Sequence, residues 1–240
     1  EARKTLEIVR FLVEQDVYVV LNASGVTFLK KSVATVLQGV RPSLLIFSLD
    51  SAYASTHDTS RRVPGLFQAI FGAVEECVSE LHLPVGVRFV ITNQNYKELP
   101  DVIRLCKQAR VDCLKITNIE DDPDRVYTLS VSQLREFDGD IRRGAISAFL
   151  ENTSENSELV QDGVSKLTGI LNSSDTDYEA ISRGEFLSSG RGAHDCGMLD
   201  RFAVVKSNGE LVPCCEAEYH NQPIVGNVVT GEMTEEAKER

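Results

Sequence analysis

The stretch 64-PGLFQAIFGAVEECVSELHLPVGVRFVI-91 joins two different hydrophobic periodicities. Its first part, residues 64–81, spaces apolar side chains at helical intervals, which is typical of a helix with a buried face. Its last part, residues 85–91, is a short apolar run rich in valine, which is typical of a buried strand. The stretch therefore predicts a helix that is followed at once by a strand.

The same pair of patterns recurs on both sides of this stretch. Apolar residues at helical spacing occupy 5–15, 28–38 and 98–111. Each of these segments is followed by an apolar run, at 17–21, 44–49 and 113–119 in turn. A long loop is expected after residue 49. Strands that are apolar throughout and alternate with helices are typical of parallel sheets, either covered on both faces or closed on themselves. The sequence therefore predicts the α/β class.

The composition of the chain limits which partners it is expected to bind and in which cell compartment it is expected to occur. The chain has 240 residues, a net charge of -11 and a pI of about 4.9, so its overall potential repels phosphate and a nonspecific hold on nucleic acid or anionic lipid is not expected. No apolar run reaches the roughly 18 residues of a membrane span. The six cysteines are too few and too irregularly spaced for a secreted disulfide scaffold, which favours a reducing, cytoplasmic setting.

Small polar residues follow each of the four predicted strands. In parallel α/β folds the loops after the strands converge on one face, where ligands bind. Short polar side chains also end strands simply by satisfying turns and helix caps, and that alternative stays open for each position. The residues are Asn22, Ser24, Gly25, Ser48, Asp50, Ser51, Thr92, Asn93, Asn95, Thr117 and Asn118.

Near the end of the chain, 202-FAVVKSNGELVPCC-215 places a polar turn between two apolar runs and then two adjacent cysteines. The pattern predicts a β-hairpin that carries Cys214 toward Cys196. Three other cysteines lie inside apolar helix or strand patterns and are predicted to be small core residues. These three are Cys77, Cys106 and Cys113.

Several motifs, taken in order, resemble radical S-adenosylmethionine (SAM) enzymes that carry a SPASM or twitch extension. The motifs are VVLNASG at 19–25, FSLDS at 47–51, 57-HDTSRRVPGLFQAI-70 and 90-VITNQNYKELPDVIRLCKQARV-111. In addition, twelve residues separate Cys196 from Gly209 and four separate Gly209 from Cys214, which is the spacing with which the family's extension opens. Ala23 and Ser24 stand where the family usually has Thr-Asn.

The resemblance implies a partial parallel (β/α) barrel of the TIM-like type with a small C-terminal β-hairpin extension. Residues 1–125 would supply strands 3 to 6 of the family's barrel, 126–195 a helical connector and 196–240 the cysteine hairpin extension. The loop Cys-x-x-x-Cys-x-x-Cys, which holds the catalytic 4Fe-4S cluster in the family, would lie upstream of Glu1. This chain alone is therefore expected to be inactive.

The resemblance also implies cofactors and site residues. SAM would be bound by Ser24, Ser48, Asp50 and Arg61, with Ser48 bonded to its carboxylate or ribose and Arg61 paired with its carboxylate. Cys196 and Cys214, with Cys215 as a third candidate, would hold an auxiliary 4Fe-4S cluster. A zinc site completed by His194 or His220, or simple packing of the cysteines, remains open. Ser48 could instead be a strand cap, and Arg61 a surface charge or a partner of Asp58. Asp50 could equally hold the barrel loop in place.

The implied function is an oxidoreductase that generates a 5'-deoxyadenosyl radical from SAM and modifies a peptide or a small molecule. A flavodoxin or a ferredoxin would donate electrons, and neither nucleic acid nor a membrane is an expected partner. Two alternatives remain, namely a non-catalytic α/β-barrel binding module with a zinc or cysteine clip, and a barrel lyase without radical chemistry. His57 is predicted to be structural, and Asn95 to be a helix cap.

Overall fold

The computed structural model describes residues 2–118, 124, 126–151, 204–205, 210–212, 224–227 and 230–234. The chain divides into two compact units, Glu1–Phe186 and Leu187–Arg240. The first unit contains a parallel sheet with its helices, and the second contains a small antiparallel sheet. The three predicted segments, 1–125, 126–195 and 196–240, remain predictions.

The parallel sheet has four strands in sequential order. They are β1 (Val20–Ala23), β2 (Leu44–Leu49), β3 (Val85–Ile91) and β4 (Cys113–Asn118). Each strand pairs in parallel with the next one along the chain. The predicted α/β class is confirmed, and the described strands form an open sheet of the kind expected for a partial barrel.

Seven α-helices are described in the first unit. They are α1 (Ala2–Glu14), α2 (Val33–Leu37), α3 (Ala54–Arg61), α4 (Leu66–Glu76), α5 (Leu99–Gln108), α6 (Val131–Glu136) and α7 (Arg142–Leu150). Helix α4 continues as a π-helical turn over Cys77–Leu81, and another such turn over Phe137–Ile141 joins α6 to α7. Ser130 and Gln133 form a capping box at the start of α6.

One face of the parallel sheet packs against helices. Alternate residues of β2 and β3 belong to a single buried apolar cluster, together with side chains of α4, α5 and α7. Residues that are fully buried in this cluster include Leu45, Phe47, Phe89, Ile70, Ile103 and Phe149. Because strand side chains alternate between faces, the intervening residues of each strand belong to the opposite face of the sheet.

Two predictions about local structure are wrong. Residues 28–38 form no single helix, because a 3-10 turn at Val26–Leu29 ends before α2 begins. Ser32 caps α2 by accepting a hydrogen bond from the backbone N–H of Thr35, and the Glu76 carboxylate accepts from the N–H groups of Val33 and Ala34. The long loop expected after residue 49 contains α3. That helix buries only His57, so hydrophobic periodicity could not reveal it.

The small sheet in the second unit is antiparallel throughout. Its strands are β5 (Val204–Val205), β6 (Glu210–Val212), β7 (Gly226–Asn227) and β8 (Glu232–Met233). Val204 pairs with Val212 and Val205 with Leu211, so the two apolar runs of the predicted hairpin do face each other. The predicted β-hairpin is confirmed, and β7 and β8 extend it to four strands.

Candidate functional site

The face of the parallel sheet opposite the helices carries the polar side chains of the strands. Asn22, Ser48, Arg88, Lys115 and Thr117 lie there, as the strand register shows, and we call this the polar face. All of them except the exposed Asn22 are half-buried. Leu44 and Ile46 also belong to this face and are buried, so a polar ligand would lie toward the carboxyl ends of the strands, beside the half-buried Ser48.

Ser48 and Ser24 occupy different environments at the strand ends. Ser48 is the penultimate residue of β2 and is the direct neighbour of Arg88 on β3. Ser24 follows the last residue of β1 and is exposed. The next residue, Gly25, has a φ of 88° and packs directly against Ile70 of α4, which fixes the path of the loop beside Ser24. The structure places both serines at the predicted edge.

Asp50 and Arg61 pair with each other. Nη2 of Arg61 donates a hydrogen bond to Oδ1 of Asp50 over 2.6 Å, and Nε lies 2.5 Å from Oδ2. The hydroxyl of Ser60 donates to Oδ2 of the same carboxylate. The pair joins the end of α3 to the loop after β2, and it is mostly shielded from water. The alternative that pairs Arg61 with Asp58 is wrong.

Asp58 instead caps the following helix. Its carboxylate accepts hydrogen bonds from the backbone N–H groups of Gly65 and Phe67 at the start of α4, at 2.6 and 2.8 Å. The bond from Phe67 is the main cause that lowers the pKa of Asp58. This cap accounts for the aspartate of the His-Asp motif in structural terms.

His57 is fully buried beneath the loop that carries Asp50. Its Nδ1 accepts a hydrogen bond from the backbone N–H of Asp50 over 3.1 Å, so the proton of the neutral ring resides on Nε2. Burial lowers the pKa of His57, and its ring packs edge-on against Phe67. A neutral, buried ring of this kind supports the loop, as the sequence predicts.

Asn95 ties two strand ends together. Its Nδ2 donates to the backbone carbonyls of Asp50 and Val90, and its Oδ1 accepts from the N–H of Thr92, all within 2.9 Å. The side chain is only 6% exposed. Asn95 precedes a 3-10 turn, Tyr96–Glu98, but its side chain does not cap it. The predicted helix cap is therefore wrong, and Asn95 instead braces the loops after β2 and β3.

Glu98 adds a second brace to the same loop. Its Oε2 accepts from the Ser51 hydroxyl over 2.6 Å and from the backbone N–H of Ala52 over 2.8 Å. The Ser51 hydroxyl in turn accepts from the N–H of Tyr53. Together with Asn95, this carboxylate fixes the backbone that follows Ser48 and Asp50.

The sequence analysis missed Arg88 and Lys115. They interrupt runs that are otherwise apolar, VGVRFVI and CLKITNI, and the structure places them side by side in the register of β3 and β4. A single cation in the middle of a buried strand was the available signal, since a charge there has to face a cavity, a partner or a ligand.

The cysteines fall into two groups. Cys77 and Cys106 are buried in the apolar cluster, and burial raises the pKa of each thiol to about 12, which confirms their prediction as core residues. Cys113 is half-buried on β4 and belongs to neither apolar cluster, so its prediction as a core residue is wrong. The predicted metal ligands Cys196, Cys214 and Cys215, and the alternatives His194 and His220, lie outside the described residues.

The described residues contain neither a cluster of metal ligands nor a membrane-spanning helix. These residues include no cluster of three or more histidine, cysteine, aspartate or glutamate side chains that could hold a metal ion. None of the helices that the structure describes is long and apolar enough to cross a membrane.

Similar proteins were found by sequence, although no family model matches the chain. An AdoMet-dependent heme synthase from Methanosarcina barkeri is 23% identical over 214 residues, which cover 87% of this chain and 58% of the relative. A pre-heme d1 synthase from Dinoroseobacter shibae is 32% identical over 65 residues, which cover 27% of this chain and 16% of the relative. The chain thus spans 58% of the length of the first relative, and both relatives are named as synthases.

The fold is similar to that of SuiB from Streptococcus suis. The crystal structure of SuiB matches 95% of this chain and 50% of its own chain, with a TM-score of 0.61 and 13% identity. SuiB has also been solved with S-adenosylmethionine and with the precursor peptide SuiA, with TM-scores of 0.58 and 0.55. Relatives in sequence and a neighbour in fold thus agree, and the chain resembles the radical SAM enzymes, as its motifs predict.

Proposed function

We propose that this chain forms the central and C-terminal part of a radical SAM enzyme that modifies a peptide or a small molecule. The observation that carries the proposal is the fold match to SuiB over 95% of the chain. The first relative in sequence is named as AdoMet-dependent, which supports the same cofactor. The braced strand ends beside the polar face are consistent with a site for such a ligand.

The polar face fits SAM in its chemistry. Ser48 is half-buried near the end of β2, and Ser24 is exposed directly after the neighbouring strand β1. In the proposal the Ser48 hydroxyl binds the carboxylate or a ribose hydroxyl of SAM, and Ser24 contacts it from the neighbouring loop.

Asp50 and Arg61 have a more specific role in the proposal. Since the Arg61 guanidinium already binds the Asp50 carboxylate, the two residues act as one unit that fixes the loop after Ser48. Arg61 remains a candidate for the SAM carboxylate because its side chain is 31% exposed and its planar group can bind a second acceptor.

For the clusters, the described residues provide no set of ligands. Cys77 and Cys106 do not fit, because their buried thiols resist ionisation and only a thiolate binds iron. We propose that the auxiliary 4Fe-4S cluster is held by Cys196, Cys214 and Cys215, as the resemblance implies; in the sequence these residues flank β5 and β6. A bound catalytic cluster would supply the electron that cleaves SAM, and this chain would hold SAM and exclude water.

The nature of the substrate and of the partners also belongs to the proposal. SuiB has been solved with a precursor peptide, which supports a peptide among the candidate substrates. We further propose a cytoplasmic protein that receives electrons from a flavodoxin or a ferredoxin and has no nucleic-acid or membrane partner. The net charge of -11 supports the lack of attraction to phosphate.

The experiment for SAM uses the full-length protein, reconstituted without oxygen. Ser48→Ala should weaken SAM binding about tenfold, because a hydrogen bond to a charged group contributes roughly 1.5 kcal/mol or more. Ser55→Ala, an exposed serine on α3, is the matched control and should bind like the wild type. A wild-type protein that neither binds SAM nor forms 5'-deoxyadenosine would refute the radical SAM proposal and favour the binding module or the lyase.

The auxiliary cluster is tested by iron, sulfide and zinc analysis of the same protein. The double variant Cys196→Ala and Cys214→Ala should lose one 4Fe-4S cluster, while Cys77→Ala should keep every cluster, since Cys77 lies in the apolar core. Zinc in the wild type, in place of iron and sulfide, would replace the auxiliary cluster by a structural clip.

A further inference from the structure

Arg88 and Lys115 place two cations side by side on the polar face. They are direct partners in the parallel pairing of β3 and β4, where neighbouring strands lie about 4.8 Å apart. Both belong to the face opposite the apolar cluster, since Val87, Phe89, Leu114 and Ile116 on either side of them lie in that cluster. The two charged groups therefore extend from adjacent strands on the same side of the sheet.

Neither cation has a side-chain partner among the described residues. No side-chain hydrogen bond or ion pair of Arg88 or Lys115 occurs in that part of the chain, and Nε of Arg88 is buried without an acceptor. Several other basic residues of the same unit are paired, as Arg61 is with Asp50, Lys97 with Glu136 and Arg104 with Glu151, whereas unpaired ones such as Lys31 are exposed. The chain has 36 acidic residues against 25 basic ones, so the lack of a counter-ion here does not reflect a shortage of carboxylates.

Two unpaired like charges in register destabilise a sheet. Cross-strand pairs of like charge are unfavourable, and partial burial strengthens their repulsion because water screens them less. The positions next to them on the same face of β3 are Gly86 and Val90, so the strand itself does not require a cation at residue 88. Side chains that destabilise the fold and make no protein contact that offsets this are typical of a ligand-binding site.

An anion is the ligand that fits two adjacent cations. The net charge of SAM indicates that SAM is not this ligand. SAM carries a carboxylate, an ammonium and a sulfonium, so its net charge is positive and two further cations repel it as a whole. A carboxylate between the guanidinium and the ammonium would offset one of the two positive charges, accept hydrogen bonds from both groups and satisfy the buried Nε of Arg88. Ser48, on the other side of Arg88, remains next to this position.

We propose that Arg88 and Lys115 bind a carboxylate of the substrate, and that the substrate is therefore an anionic, carboxylate-bearing molecule. That the bound molecule is a substrate rests on the radical SAM function proposed above. The pair itself is defined by the strand register and by the absence of protein partners in the described part of the chain.

The test uses succinate as the probe and the full-length protein at low ionic strength. Titration calorimetry should show succinate binding to the wild type, with succinamide, its uncharged analogue, as the ligand control. Arg88→Met and Lys115→Met should each weaken succinate binding at least fivefold, and Arg88→Lys should retain most of it. Lys31→Met, which removes an exposed charge elsewhere, should bind like the wild type. SAM affinity should stay within twofold in all of these variants.

Thermal unfolding followed by circular dichroism tests a purely structural role. Because the two cations repel each other, each methionine variant should unfold at the wild-type temperature or above it. A lower midpoint in both variants would mean that the pair stabilises the fold, and it would overturn the inference. Succinate binding that is unaffected by either substitution, or SAM affinity that falls together with succinate affinity, would also overturn it.

The outcomes separate this inference from the proposed function. Succinate binding that depends on the pair, in a wild-type protein without affinity for SAM, would refute the radical SAM proposal and leave the anion site in place. SAM binding with intact 5'-deoxyadenosine formation, combined with loss of the succinate effect, would do the opposite.

Discussion

Gly25 is the position where a single methyl group should distort the fold beside the site. Its φ of 88° lies in the left-handed region, and a Cβ built there would lie 2.5 Å from Cγ1 of Ile70 and 3.1 Å from Cδ1 of Leu66. Both side chains are fully buried, so neither can move away without disturbing the core. Gly25→Ala should therefore be destabilising for two separate reasons.

Gly39 offers a matched control for the first of these reasons. Its φ is 79°, but nothing lies within 4 Å of a Cβ placed there. Gly39→Ala should cost about 1 kcal/mol, since left-handed backbone is unfavourable for alanine and the stiffer unfolded chain offsets part of that. Gly25→Ala adds overpacking of the core at about 2 kcal/mol, for a total of about 3 kcal/mol.

Urea unfolding followed by circular dichroism measures the difference. With a slope of about 2 kcal/mol per molar urea, the midpoint should fall by roughly 1.5 M for Gly25→Ala and by roughly 0.5 M for Gly39→Ala. In a double-mutant cycle, Ile70→Ala should be less destabilising in the Gly25→Ala background by about 2 kcal/mol, because it removes the clash. Equal shifts in the two glycine variants, or no coupling to Ile70, would refute the reasoning.

Three buried groups give further predictions. Asn95→Ala removes three hydrogen bonds at a side chain that is only 6% exposed, so it should lower the unfolding free energy by about 3 kcal/mol. Gln94→Ala, at an exposed neighbour, should change the unfolding free energy little, and equal effects of the two variants would show that the hydrogen bonds of Asn95 are dispensable. The pKa of His57 is lowered in the folded protein, so the unfolded chain takes up the proton first and the free energy of unfolding should be full above pH 6.5 and decline as the pH falls below it. His57→Gln should reduce this dependence of the unfolding free energy on pH. An unchanged pH dependence would exclude His57 as its source. At pH 8, Cys77 and Cys106, whose pKa is about 12, should react with iodoacetamide at least a hundredfold more slowly in the folded protein than in urea, and rapid labelling would contradict their burial.

The alternation of helix and strand patterns was sufficient to predict the α/β class and four parallel strands. Apolar runs of six or seven residues at 44–49, 85–91 and 113–119 correspond to β2, β3 and β4, because continuous apolar runs fit a sheet interior. The hairpin of β5 and β6 could also be predicted, because a polar turn between two apolar runs is typical of a β-hairpin. Motif order and spacing likewise predicted the resemblance to radical SAM enzymes, which relatives and fold confirm.

Side-chain pairing could not be predicted, because it depends on contacts between residues distant along the chain. The sequence suggested a helix cap for Asn95, but its partners Asp50 and Val90 lie on the ends of two adjacent strands. It offered Asp58 as a partner of Arg61, but the direction of α3 brings Arg61 to Asp50 and leaves Asp58 to cap α4. Helix α3 itself escaped prediction because it has no apolar stripe.

The sequence by itself determined which segments would be buried strands and helices, because local periodicity reflects one buried face at a time. Only the tertiary structure decided which polar side chains meet. The register of β3 and β4, set by packing of the apolar face, is what brings Arg88 beside Lys115, although 26 residues lie between them in the sequence. A local pattern records the burial of each residue, whereas a binding site depends on distances across strands that no local pattern contains.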